Sequence, residues 1–177
     1  LPPNKIYLDG NSLGVLPRTA PGRVAQVVEQ EWGRDLIESW NSAGWIDLPQ
    51  RVGDKIARLV GAASGELVVA DSTSVNLFKV LSAALRVIGA DAPQRRLIVS
   101  ERSNFPTDLY IAENLAREHG LQLLLVEADQ IAAHLNEQLA VLMLTQVNYR
   151  TGALHDMAAL TRAAHDAGAL VVWDLAH

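Results

Sequence analysis

The 177 residues carry 15 Lys and Arg against 20 Asp and Glu, a formal net charge of −5, with 49% hydrophobic and 20% charged side chains. That balance predicts one packed domain with at most an appendage, and it offers no basic footprint for nucleic acid or an anionic membrane surface, so neither is expected as a partner. Without cysteine, disulfides, thiolate metal sites and a cysteine nucleophile are excluded within these residues, and the cytoplasm is the expected location.

The N-terminus LPPNKIYLDG has neither an initiator Met nor a basic leader with an apolar h-region, so trimming at the front is expected. No apolar run approaches the roughly 20 residues of a membrane-spanning helix. Val24, Val27, Val28, Trp32 and Leu36 recur at three- and four-residue steps, the stripe of an amphipathic helix starting near Pro21. NSAGW reads as a loop. Pro49 fits the first turn of a second helix carrying Val52, Ile56, Leu59 and Val60 and ending at Gly61.

From Glu66 onward, short apolar runs alternate with longer amphipathic stretches. The runs ELVVA, RRLIVS, LQLLLV, LAVLMLT and ALVVWD predict five strands, with helices expected over 72–88, 106–119, 129–137 and 156–167. Hydrophobicity within the runs is continuous rather than alternating, as strands buried on both faces require. The expected fold is therefore α/β, a three-layer αβα arrangement around an open, mostly parallel sheet. No helix follows the last run, so the sheet is expected to be incomplete at the C-terminus and the chain to be a piece of a larger fold.

Open α/β sheets bind ligands beyond the carboxyl ends of their strands, which directs attention to the residues after each run. Asp71, Ser72, Thr73 and Ser74 put hydroxyls at a helix start, either as an ordinary N-cap or as an anion site. Neither G-x-G-x-x-G nor G-x-x-x-x-G-K-[ST] occurs, so any phosphate would be held by hydroxyls and amides. In SNFPTD, Pro106 fits a first helical residue with Asp108 in the first turn. Phe105 is either a core residue or an aromatic face for a flat cofactor, with Thr107 and Asp108 turned into the site. Asp174 closes a buried run, where an unpaired charge is costly. His177 could partner it, or a ligand cation such as a protonated pyridine nitrogen could.

Taken together, YLDGNSLGVLP, SWNSAGW, STSVNLFKVL, SNFPTDLY, LTQVNYRTG, HDM and WDLAH resemble the kynureninases, more closely the bacterial ones, over Tyr7–His177. These are pyridoxal phosphate enzymes of the aspartate aminotransferase fold. The resemblance implies hydrolysis of L-kynurenine, and possible action on 3-hydroxykynurenine, to anthranilate and L-alanine in tryptophan catabolism by a homodimer. It implies that Thr73 and Ser74 bind the phosphate, that Phe105 stacks on the ring, and that Pro106, Thr107 and Asp108 complete that segment. Thr145 would offer a hydroxyl to the cofactor, Asp174 would hold the pyridine nitrogen, and His177 would stand beside it. Ser12 and Trp40 fall where substrate contacts are expected. By the same resemblance, residues 1–47 belong to a smaller domain with substrate loops and 48–177 to the cofactor-binding domain.

The Schiff-base lysine of the kynureninases follows DLAH, and none of Lys5, Lys55 and Lys79 occupies its place, so this chain alone is expected to be inactive. Two other readings stand beside this one. One is a catalytically silent module of the same fold. The other is a metal-dependent hydrolase using Asp174 and His177 with His155 or Asp156.

Overall fold

In the computed structural model, which describes residues 2–177, helix formation begins one residue before the predicted proline. The first helix, α1, covers Ala20–Gln26 with Pro21 in its first turn and continues as a wider π-helical stretch over Val27–Trp32. Two compact units follow one another along the chain, the first ending at Asp71 and the second covering Ser72–His177. Within the first unit the apolar stripe faces outward, with Val24, Val28, Trp32 and Leu36 all exposed. Polar anchoring takes its place: Glu31 is buried and accepts hydrogen bonds from Arg23 and from Trp45 Nε1, while Ser39 Oγ donates to its carbonyl.

The NSAGW segment is not all loop, because α2 forms a single turn over Ser39–Ser42. The second predicted helix is α3, Leu48–Val60, and Gly61 ends it with the left-handed φ of 79° that glycine adopts without strain. The predicted strand in ELVVA does not form. A strand needs a neighbour for its backbone groups, and here the run lies against α3 instead, with Val69 N–H donating to Pro49 O and Leu67 O packed where a Cβ on Gly53 would sit.

In the second unit, α4 spans Thr73–Asp91, and Ser72 caps it by accepting from Val75 N–H. The strands β1 (Leu97–Glu101), β2 (Gln122–Val126), β3 (Leu139–Thr145) and β4 (Leu170–Asp174) pair in parallel in the order β2-β1-β3-β4. The sheet thus has four strands where five were expected. Every residue of β3 is buried, as the unbroken run LAVLMLT implies for a central strand. Helix α5 covers Pro106–Glu118, and α6 covers Met157–Asp166. The helix expected over 129–137 is a 3₁₀ helix, Ala128–His134, closed by a reciprocal Glu127–Gln130 capping box.

Strand alternation sorts the core into two layers. Ile98, Val141, Met143 and Val172 pack with Leu77, Leu81 and Leu85 of α4 and with Ala112 and Leu115 of α5. Val99, Leu142 and Leu144 pack on the other face with Ile131 and with Ala164 of α6. A register shift places one extra residue, Ala140, in β3, so that Leu139 pairs with Leu97 while Val141 pairs with Ile98. Helix α4 is long and apolar enough by composition to cross a bilayer; Leu77, Leu81, Leu85 and Ile88 are buried on the sheet side, while Val75, Phe78, Val80 and Val87 are exposed.

Arg95 ties together the end of the sheet at which β3 and β4 begin. Its guanidinium donates to Leu139 O at 2.6 Å and to Ala167 O at 2.6 Å, with Asn136 O at 3.4 Å. A charged donor to half-buried carbonyls is among the stronger hydrogen bonds, and the carbonyls lose their partner if it goes. Arg95→Ala is expected to destabilise the full-length protein by about 3 kcal/mol, read as a lower urea midpoint, with Arg95→Lys recovering part of the loss.

Candidate functional site

Because the strands are parallel, their carboxyl ends lie along one edge, and alternation decides which end residues share a face. Ser100 follows Ile98 on the face covered by α4 and α5, Thr145 follows Met143, and Asp174 follows Val172. Thr145 and Asp174 are paired in register, and both are buried. Helix α5 starts at the same edge because Phe105 is extended before Pro106, with φ −60° and ψ 130°. Asp108 then falls in its first turn, 2% exposed.

The two carboxyl groups meet. Burial, then the negative charge of Asp174 and a hydrogen bond with it, push the Asp108 carboxyl up to about 7. Asp108 binds its proton far more tightly than an ordinary carboxyl because two adjacent buried carboxylates cannot both ionise cheaply. Asp174 Oδ1 also accepts from Ala176 N–H at 2.9 Å, which fixes the chain where it turns towards His177. Asp108 Oδ2 and His177 Nδ1 are buried without a hydrogen-bond partner.

The same edge carries a cluster of rings that forms an aromatic wall. Phe105 and His177 stack with centroids 5.5 Å apart and planes 30° apart, and Tyr149 meets Phe105 edge-on at 5.2 Å. Thr73 is the first residue of α4 and Ser74 the second, so their amides belong to the donors that a helix leaves without internal acceptors. Ser72, not Thr73 or Ser74, supplies the cap. Thr73 and Asp174 line one cavity of about 280 Å³, together with Asn76, Leu77, Val172 and Trp173. Thr107 is half-buried beside Pro106.

The structure therefore gathers Phe105, Pro106, Thr107, Asp108, Thr145, Asp174 and His177 at one sheet edge, with Thr73 and Ser74 at the adjoining helix start. Ser12 and Trp40 belong to the first unit. Ser12 is exposed in a turn, and Trp40 is half-exposed and edge-on to Trp45 at 6.5 Å, in a cleft of about 260 Å³ with Trp32, Leu36 and Ile37.

One member of the site escapes a reading by strand ends. Asn104, 5% exposed, accepts at Oδ1 from Phe105 N–H at 2.6 Å and from the Thr145 hydroxyl, and its Nδ2 donates to Ser100 Oγ at 3.0 Å. A backbone N–H can only donate, so it fixes Oδ1 as the acceptor and commits the Thr145 hydrogen to Asn104. Thr145 then offers lone pairs, not a hydrogen, to anything in the site. The sequence signal was the asparagine directly before Phe-Pro, a residue suited to bonding its neighbour's backbone.

The site has parts for a flat, cationic, phosphate-bearing ring. Asp174 with Asp108 can receive a ring N–H⁺, Phe105 supplies a face, and the α4 start supplies anion-binding amides. The orphaned Asp108 and His177 atoms are the observation that favours such an occupant. Among the described residues no three His, Asp or Glu side chains group for a metal ion. His155 meets Glu101, and Asp156 caps α6 by accepting from Ala159 N–H.

The aminotransferase class-V family model matches residues 42–177, and the chain belongs to that family. It is 57% identical over 180 residues to the kynureninase of Pseudomonas fluorescens. It is 55% identical over 181 residues to that of Burkholderia pseudomallei strain K96243. Both alignments take in all of this chain but 43% of the relative, so the chain spans less than half the length of these relatives. Among solved structures, the cystine C–S lyase C-DES matches 99% of this chain and 48% of its own, with a TM-score of 0.81 at 16% identity. A NifS-like protein matches with a TM-score of 0.75 at 14% identity. These two likenesses show the fold.

The raised Asp108 carboxyl makes a pH prediction for cofactor-free protein. Its folded value lies near 7 and its ordinary value near 3.8, so between them the folded state holds a proton that the unfolded state has lost. The resulting stability is complete below about 4 and is lost as pH rises towards 7. Urea unfolding from pH 4 to pH 8 is expected to show this decline in the wild type and to show it flattened in Asp108→Asn.

Proposed function

We propose that the full-length protein hydrolyses L-kynurenine to anthranilate and L-alanine with pyridoxal phosphate, in tryptophan catabolism, with 3-hydroxykynurenine a second candidate substrate. The observation that carries this reading is the buried Asp108–Asp174 pair at the strand edge that also carries the Phe105–His177 stack, in a chain 57% identical to a kynureninase. When bound, the cofactor supplies an electron-accepting ring that stabilises negative charge at the substrate α-carbon.

Every remaining role falls to residues of the chain. Asp174 holds the ring nitrogen in its protonated form, and Asp108 supports it as the second carboxyl. Phe105 packs on one ring face, with Pro106 and Thr107 shaping the same turn, and His177 borders it. Thr73, Ser74 and the first-turn amides of α4 bind the phosphate. Thr145 contacts the cofactor through its hydroxyl oxygen. Ser12 and Trp40 contact the substrate, and a lysine from the remainder of the full-length protein anchors the cofactor.

The division into residues 1–47 and 48–177 belongs to the same proposal, as do a homodimer and a cytoplasmic location. The full-length protein, loaded with pyridoxal phosphate, is expected to convert kynurenine into a fluorescent product that co-elutes with anthranilate. A cofactor-loaded protein that leaves kynurenine and its 3-hydroxy derivative intact sinks the substrate assignment and favours a silent binding module. Asp174→Asn is expected to lower kcat on the order of 10²-fold while the far-ultraviolet circular dichroism stays that of the wild type.

A further inference from the structure

Glu101 and His155 form the one well-enclosed titratable pair of the second unit to which the proposed chemistry gives no task. Glu101 ends β1, and His155 closes the loop after β3. His155 Nε2 lies 2.9 Å from Glu101 Oε2, and the side chains are only 11% and 13% exposed. Glu101 Oε1 accepts from Ser103 Oγ and from Asn148 Nδ2, so both carboxylate oxygens are engaged. A carboxylate only accepts, which places the imidazole hydrogen on Nε2.

The loop that this pair pins is closed on itself. The Gln146 side chain donates to His155 O at 3.0 Å and accepts from His155 N–H at 2.9 Å, joining the two ends of the loop. Asn148 accepts at Oδ1 from the N–H groups of Arg150 and Thr151 and donates through Nδ2 to Ser103 Oγ at 2.6 Å. Between these ties stands Tyr149, its ring 5.2 Å from Phe105 and 5.9 Å from His177. The His155 ring lies 6.1 Å from that of Trp173, the neighbour of Asp174.

We propose that Glu101 and His155 are a positioning clasp: by fixing the 146–155 loop to the end of β1, they hold Tyr149 against Phe105 and so set how firmly the planar cofactor is retained. The inference rests on the pyridoxal phosphate reading above. Phe105 is the only ring of the wall that follows directly from a helix start; Tyr149 is carried on a loop, whose position depends on what ties it. Truncating Glu101 removes the acceptor of three donors at once and frees the loop from β1. Neither residue of the clasp is among those proposed to hold the cofactor; His155 also meets Trp173, which lines the cavity beside Asp174, and the double variant with Tyr149 tests whether the effect runs through the loop.

The test uses full-length holoenzyme and three readouts: the rate of pyridoxal phosphate release, the visible circular dichroism of the bound cofactor, and amide hydrogen exchange over 146–155. Glu101→Ala is expected to speed release roughly tenfold, as when an outer-shell partner of a bound group is lost, to weaken the visible dichroism, and to raise exchange in the loop. Tyr149→Ala should release the cofactor to a similar degree, and the double variant should be no worse than either single one. His155→Gln, whose amide can still donate to Glu101, should retain most of the wild-type behaviour where His155→Ala does not. That histidine pair carries the comparison if Glu101→Ala does not fold. Effects that multiply in the double variant, or faster loop exchange with an unchanged release rate, overturn the clasp. Wild-type protein that binds no pyridoxal phosphate overturns the functional reading instead.

Discussion

A carboxylate at the end of a buried strand has to be matched by a hydrogen, a cation or water, and the second unit is organised around how Asp174 is matched. Water is largely excluded, since Asp174 is 9% exposed and Asp108 only 2%. The two acids solve the problem between them, with burial and the charge of Asp174 making Asp108 hold a proton more tightly than an ordinary carboxyl does. A proton held in this way is easily exchanged for a cation of the right shape. The same arrangement that costs stability in the free chain therefore favours a ligand that brings its own positive charge, which is the relation expected of a binding site and not of a structural ion pair.

Strand alternation makes the arrangement possible. Ser100, Thr145 and Asp174 reach the same face because Ile98, Met143 and Val172 lie on it two residues earlier. The extra residue at Ala140 lets the first residue of β3 stay on the opposite face with Leu97 without disturbing this order. Helices α4 and α5 cover that face and begin at the strand ends, so their first turns bring a hydroxyl pair and a carboxyl group to it. Core packing and site geometry are thus one constraint: moving a strand by one residue would turn Thr145 or Asp174 to the opposite layer.

Much of this was readable beforehand, for physical reasons that differ between elements. LAVLMLT announces a strand buried on both sides because nothing polar interrupts it, Pro106 marks a helix start because its ring suits only the first turn, and Gly61 marks a stop. ELVVA has the same composition as the true strands and still does not pair. Apolar content records a need for burial, not the presence of a neighbour, and this run finds its contacts on α3. The local stripe from Val24 to Leu36 misled in a related way, since a carboxylate, Glu31, holds that part of the unit together from within. What composition could not supply at all is partnership at a distance: Asn104 with Thr145 across 41 residues, and Glu101 with His155 across 54.

Those distant partnerships share a logic. Each joins the end of β1 or the turn after it to the end of β3 or the loop after it, so these polar groups bond to one another across the edge. Asn104 orients Thr145 through a chain of donors whose direction is set by a backbone N–H, and Glu101 restrains the loop that begins immediately after Thr145. A side chain whose hydrogen is already committed cannot rotate to follow a ligand; it presents one polarity to whatever enters. Preorganisation of this kind places its entropic cost in folding instead of in binding. An edge built only from caps and core residues would have no need of it.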